Sequence, residues 1–128
     1  MPNLKVVSIV DDDESIRNST QSLVRSMGWQ ARAYASADQF LAALALDGAP
    51  CLDCIVSDIQ MPGTNGLQLL QKLREGHYTF TIIFVTGFFS EDIAQTAMSE
   101  GALCVLEKPV DPTLLCDWLC LALSREAR

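Results

Sequence analysis

Four near-continuous apolar runs, at Val6 to Val10, Cys54 to Val56, Ile82 to Val85 and Leu103 to Leu106, each give way to polar or turn-forming residues within a position or two. Runs this short, rich in β-branched residues and bounded by turn signals, predict strands buried on both faces. Gln30 to Tyr34 predicts a fifth strand, and Arg32 between two alanines places it at a sheet edge. The intervening segments change to helical spacing. Ile16, Leu23, Val24 and Met27 share one face, with Gly28 as a C-cap; Phe40, Leu41 and Leu44 form the next stripe after Ser36 and Gln39 in capping-box position, with Gly48 as its stop. Leu67, Leu70 and Leu73 run to Gly76, Ile93, Ala94, Ala97 and Met98 to Gly101, and Leu115, Trp118, Leu119 and Ala122 follow an Asp111-Pro112 start.

Strands alternating with helices predict an α/β fold with a parallel sheet covered on both faces. A flavodoxin-like (βα)5 arrangement with strand order 2-1-3-4-5 puts the polar second strand at an edge and the strand ending at Asp58 in the middle. The 128 residues support one domain, 1–128, and 49% hydrophobic against 20% charged residues is an ordinary globular balance. The formal charge of −7 argues against direct nucleic-acid binding, which needs clustered Lys and Arg, so any contact with DNA is expected through a separate output domain beyond residue 128. No apolar run reaches 18 residues and the N-terminus lacks a signal-peptide core, so a cytoplasmic location without membrane association is expected. An odd count of 5 cysteines, two of them inside strands, reads as reduced structural thiols.

The polar residues at the strand ends carry the chemistry. Asp11, Asp12 and Asp13 follow the first strand, Asp58 ends the third, Thr86 ends the fourth and Lys108 follows the fifth. In an open parallel sheet these ends share one rim, beside the switch point between the first and third strands. Two carboxylates about 5 Å apart repel by roughly 3 kcal/mol at an effective dielectric near 20, so Asp11, Asp12 and Asp58 together call for a cation. An all-oxygen donor set suits Mg²⁺. Lys108 and Thr86 add a positive charge and a hydroxyl for phosphoryl oxygens, and Asp58 is placed to attack phosphorus. Asp13 reads as a helix cap or surface residue. Lys108-Pro109 is a candidate cis peptide.

These motifs resemble the receiver domain of two-component response regulators: Val10-Asp11-Asp12, Asp58 with Met61-Pro62 and Gly66, Thr86-Gly87, Gly101-Ala102 and Lys108-Pro109, over about residues 4 to 124. The resemblance implies that Asp58 accepts a phosphoryl group from a phosphohistidine on a sensor histidine kinase. It implies that Asp12, Asp58 and the Gln60 carbonyl bind Mg²⁺ directly and Asp11 through water, and that Thr86 and Lys108 grip the phosphoryl oxygens. Glu107-Lys108-Pro109 and Thr86-Gly87 look most like receivers of the nitrogen-fixation regulator type, which carry a C-terminal helix-turn-helix output domain. Phosphorylation would then alter the surface of the fourth helix, fifth strand and fifth helix, allowing a homodimer or the release of an output domain. The protein would be a phosphoacceptor, not a turnover enzyme, phosphorylating itself from small donors and losing the phosphate slowly.

One position departs from that pattern: Val105 stands where such receivers commonly carry a mobile aromatic ring. Phe88 and Phe89 are read first as a cover on the sheet end, with a second reading in which one repacks in place of that ring. A bulky Phe88, with Gln60, argues for slow loss of phosphate. Other classes are a haloacid-dehalogenase-like phosphohydrolase using Asp11 in its Asp-x-Asp pattern and a pseudo-receiver that is never phosphorylated. A zinc site or redox pair from Cys51, Cys54, Cys116 and Cys120 is disfavoured because Cys54 falls inside a strand. His77 reads as an exposed loop residue and Trp118 as core.

Overall fold

The computed structural model describes residues 5–47 and 53–124. Strands and helices alternate along the chain: β1 (Val6–Val10), α1 (Glu14–Ser26), β2 (Gln30–Tyr34), α2 (Ala37–Asp47), β3 (Cys54–Asp58), α3 (Gly66–Glu75), β4 (Thr81–Thr86), α4 (Glu91–Ser99), β5 (Cys104–Glu107) and α5 (Pro112–Ser124). The strands form one parallel sheet in the order β2-β1-β3-β4-β5. This is the flavodoxin-like topology expected from the alternation of apolar runs and helical stripes.

Alternation along each strand sends neighbours to opposite layers. Val10, Ile55, Ile82 and Phe84 pack with Phe40, Leu69, Leu70, Leu73 and Ala97 under α2, α3 and α4. Val7, Ile9, Cys54, Val56 and Ile83 pack with Val24, Leu115 and Leu119 under α1 and α5, where Trp118 is partly buried as well. β1 and β3 are buried at every position, whereas β2 alternates between exposed and half-buried residues as an edge strand does.

Local chemistry fixes the helix ends. The Asp13 side chain accepts from the Ser15 and Ile16 amides at the start of α1. Asn65 and Gln68 form a reciprocal capping box on α3, and Ser90 caps α4. At α2 the Gln39 amide donates to Ser36 Oγ while the Gln39 side chain accepts from Ala35, so the reciprocal bond lands one residue earlier than the capping-box reading placed it. The C-cap of α1 is Met27, and Gly28 follows it at φ 88°. Gly48 and Cys51 lie outside the described residues.

Several apolar positions are less buried than the sequence predicts. Met98 is 49% exposed, because α4 turns only Ala97 and part of Ile93 and Ala94 toward the sheet. Met27 likewise lies at the margin of its stripe, 36% exposed. Phe88 is 73% and Phe89 38% exposed, so these rings do not cover the sheet end. His77 is exposed, with φ 64° just after α3. β5 begins and ends one residue later than the apolar run Leu103 to Leu106, since pairing with β4 and not hydropathy sets its limits.

Candidate functional site

The parallel register brings the carboxyl ends of β1, β3, β4 and β5 to one rim. Val10 lies opposite Ser57, Asp58 opposite Val85, and Thr86 opposite Glu107. Asp11 leaves β1 with its amide donating to the Tyr34 carbonyl, and the Lys108 amide donates to the Thr86 carbonyl. Asp11, Asp58, Thr86 and Lys108 therefore project from hydrogen-bonded strand ends, a more rigid mount than a free loop.

Asp11 and Asp58 are buried and Asp12 is exposed; one carboxylate oxygen from each lies within 4.8 Å of the others. The Lys108 ammonium donates to Asp11 Oδ2 at 2.9 Å and to Asp58 Oδ2 at 3.0 Å. One cation thus bridges two buried anions. Burial pushes the Asp58 carboxyl above the ordinary carboxylate range, against the hydrogen bond and charge of Lys108, which pull it down; the Asp11 charge adds to the rise. Burial works to lower the Lys108 ammonium, but its hydrogen bonds and charge attraction to Asp11 and Asp58 prevail and raise it.

Asp11 is further fixed: its Oδ1 accepts from the Asp13 amide at 2.9 Å, and its carbonyl accepts from Arg17 Nη1 at 2.9 Å. Both of its carboxylate oxygens therefore already serve protein donors. Arg17 went unnoticed in the sequence, although a basic residue in the first turns of a helix opposes the helix dipole and signals another attachment.

Thr86 is completely buried and engaged elsewhere. Its hydroxyl donates to Gln60 Oε1 at 2.6 Å and accepts from the Phe88 amide at 3.1 Å. Gln60, expected to offer its main-chain carbonyl to a metal and, with Phe88, to slow the loss of phosphate, thus also engages Thr86 through its side chain. Val105, three residues before Lys108, is half-buried against the cluster containing Phe84. Lys108–Pro109 is cis.

Two glycines let the backbone come close. A Cβ on Gly66 would lie 2.6 Å from the Asp58 carbonyl and 2.9 Å from Ile59 Cα, so only glycine lets α3 start against the end of β3. Gly63 has φ 76°, and beside it Thr64 donates to Asp38 at 2.7 Å, tying the β3–α3 loop to α2.

The donor set fits a hard divalent cation: three carboxylates, with no cysteine or histidine in the cluster. Cys54 is buried within β3 and Cys104 within β5, outside this cluster, and burial pushes each thiol up to about 12.

Sequence comparison agrees with this geometry. The family described as response regulator receiver domain matches residues 7–119, and the chain belongs to it. The transcriptional regulatory protein FixJ of Azorhizobium caulinodans is 36% identical over 128 residues, covering 99% of this chain and 59% of that protein. The transcriptional regulatory protein TdiR of Thauera aromatica is 35% identical, covering 97% and 54%. The DNA-binding transcriptional regulator NtrC of Salmonella typhimurium is 35% identical over 83% of this chain and 22% of its own length. The chain thus spans between about a fifth and three fifths of these relatives. Among solved structures, a response regulator receiver protein from Burkholderia phymatum superposes with a TM-score of 0.82 at 33% identity, covering 94% of this chain and 95% of that one. A receiver domain from Clostridium thermocellum gives 0.89 at 25%, covering 97% and 98%. Receiver domains of two-component response regulators are phosphoacceptors in phosphorelay signalling, and that is the class this chain joins. Among the described residues, no helix is long and apolar enough to cross a membrane.

Proposed function

We propose that Asp58 is the phosphoacceptor and that the transfer depends on Mg²⁺. The observation that carries this reading is the cluster of Asp11, Asp12 and Asp58 oxygens within 4.8 Å, bridged by Lys108. Asp12, Asp58 and the Gln60 carbonyl would hold the ion directly. Asp11 would reach it through water, since Asp13 and Lys108 already occupy its oxygens. Bound there, Mg²⁺ would supply positive charge to offset the negative charge of the phosphoryl group.

In the transfer, an Asp58 carboxylate oxygen forms a bond to phosphorus as the phosphorus–nitrogen bond of a kinase phosphohistidine breaks. The nitrogen keeps the electron pair and leaves within an imidazole protonated on its other nitrogen. Lys108 exchanges its contact with Asp58 for a phosphoryl oxygen, and the Thr86 hydroxyl donates to another. Small phosphodonors serve the same carboxylate, with slow self-dephosphorylation afterwards.

Residues 1–128 form the receiver unit in this reading. The switched surface of α4, β5 and α5 forms a homodimer or controls an output domain outside these residues. That output is transcriptional by analogy with FixJ and NtrC, and the −7 charge of this chain supports leaving DNA contact to such a domain. A cytoplasmic setting accords with a sensor kinase as donor.

The test is incubation with Mg²⁺ and phosphoramidate followed by intact mass. The expected result is a gain of one phosphoryl group that disappears in Asp58→Asn and when EDTA replaces Mg²⁺. An Asp58→Asn variant that still turned over phosphate would favour the Asp11-dependent hydrolase, and no modification of the parent protein at all would favour a pseudo-receiver.

A further inference from the structure

The Thr86 hydroxyl has one proton to give and two lone pairs to share. The Phe88 amide takes one lone pair at 3.1 Å, and the proton goes to Gln60 Oε1 at 2.6 Å. Thr86 is completely buried at the end of β4, so water does not substitute for either partner, whereas Gln60 sits on an exposed position of the β3–α3 loop. A phosphoryl group on Asp58 that recruits the Thr86 hydroxyl must claim that same proton. The Gln60 carboxamide and the phosphoryl oxygens are therefore rivals for one donor.

We infer that Gln60 is a positioning residue that latches Thr86 in the unphosphorylated state, so that phosphoryl binding and release of the Gln60–Thr86 hydrogen bond are one event. The inference rests on the phosphoacceptor reading of Asp58. It gives the Gln60 side chain a task separate from that of its main-chain carbonyl, which every substitution at this position retains. Gln60 follows Asp58 by two residues, so the latch reports directly from the modified residue's own loop to the end of β4. When the proton is withdrawn, the Gln60 side chain loses its buried partner, and Thr86 and the Phe88 amide that leans on it are free to shift together. The exposed Phe88 ring, 73% accessible, moves with that amide and carries the change to the surface.

A net hydrogen bond of this kind biases an equilibrium by about two- to tenfold. Gln60→Met keeps the side-chain length and removes the acceptor. Because the position is exposed, the variant is expected to fold as the parent does.

The experiment measures beryllofluoride affinity, in saturating Mg²⁺, for the parent, Gln60→Met, Thr86→Ala and the double variant. Gln60→Met is expected to bind about two- to tenfold more tightly than the parent, and to bring no gain in the Thr86→Ala background. Side-chain couplings of Thr86 measured by NMR without beryllofluoride should show one rotamer in the parent and averaging in Gln60→Met. The latch is overturned by unchanged or weaker binding in Gln60→Met, by an equal gain in both backgrounds, by a gain fully matched by a change in Mg²⁺ affinity alone, or by a Thr86 rotamer indifferent to the substitution. Failure of the parent protein to bind beryllofluoride is a different result: it removes the phosphoacceptor reading, and the switching role of the latch with it.

Discussion

Replacing Lys108 by methionine keeps most of the aliphatic stem and deletes the charge that joins Asp11 to Asp58. The side chains of those aspartates are only 2% and 8% exposed, and that of the lysine 17%. Without the ammonium, two buried carboxylates with oxygens within 4.8 Å of each other face no counter-charge. At an effective dielectric near 20 their repulsion is about 3.5 kcal/mol, and removing one partner of a buried ion pair costs about 3–5 kcal/mol by experience with other proteins. The residual exposure of the lysine favours the lower figure. A loss of about 3 kcal/mol is a large part of the total stability of a domain this size and lowers its melting temperature by about 10 °C.

The sign with pH is opposite to that of an ordinary acid-labile protein. In the variant, burial and the Asp11 charge raise Asp58 with no Lys108 to oppose them, so the folded state holds a proton on Asp58 more tightly than the unfolded chain does and stability returns as pH falls below neutrality. In the parent, the lysine is raised by its two partners, so its contribution is present below the ordinary lysine range and is lost as pH rises through the raised value. Urea denaturation in EDTA at pH 7 and at about pH 5 separates these cases; Mg²⁺ or a second change, Asp11→Asn, should restore much of the loss at pH 7. A Lys108→Met protein as stable as the parent in EDTA, or one whose deficit ignores pH, Mg²⁺ and Asp11→Asn alike, would refute the electrostatic account.

Other expectations are more local. Gly66→Ala drives a methyl into the Asp58 carbonyl and should cost about 1–3 kcal/mol in thermal unfolding while weakening Mg²⁺ binding, because the displaced backbone carries Asp58. Asn65→Ala removes the capping box of α3 and should cost about 0.5–2 kcal/mol with Mg²⁺ affinity largely kept. Among the described cysteines, iodoacetamide at pH 8 should reach Cys120 first and Cys116 more slowly, since burial raises the latter thiol, and leave Cys54 and Cys104 intact until the protein unfolds; peptide mass mapping reads the order.

The features legible in the sequence were those that depend on period and punctuation. β1, β3 and β4 declared themselves as apolar runs, and Asp11, Asp58, Thr86 and Lys108 stood out because polar groups ending such runs converge on one rim. The Gln60–Thr86 contact was not legible: it joins loop and strand residues 26 apart, and only the β3–β4 register places them together. Arg17 was hidden because its helical stripe is read for apolar positions. Met98 and the Phe88-Phe89 pair misled for the converse reason, since an apolar side chain marks burial only where the fold supplies something to cover it. The ring expected to move with Thr86 is absent at Val105, and nothing in the periodicity of β5 showed that a carboxamide from another loop holds that threonine instead.

The two ion pairs of Lys108 span 97 and 50 positions of the chain. While the polypeptide is being made, both aspartates emerge long before the lysine that makes their proximity tolerable. A product stopped before β5 holds all three clustered aspartates but lacks the ammonium that bridges two of them, so the pocket is completed only after the last strand.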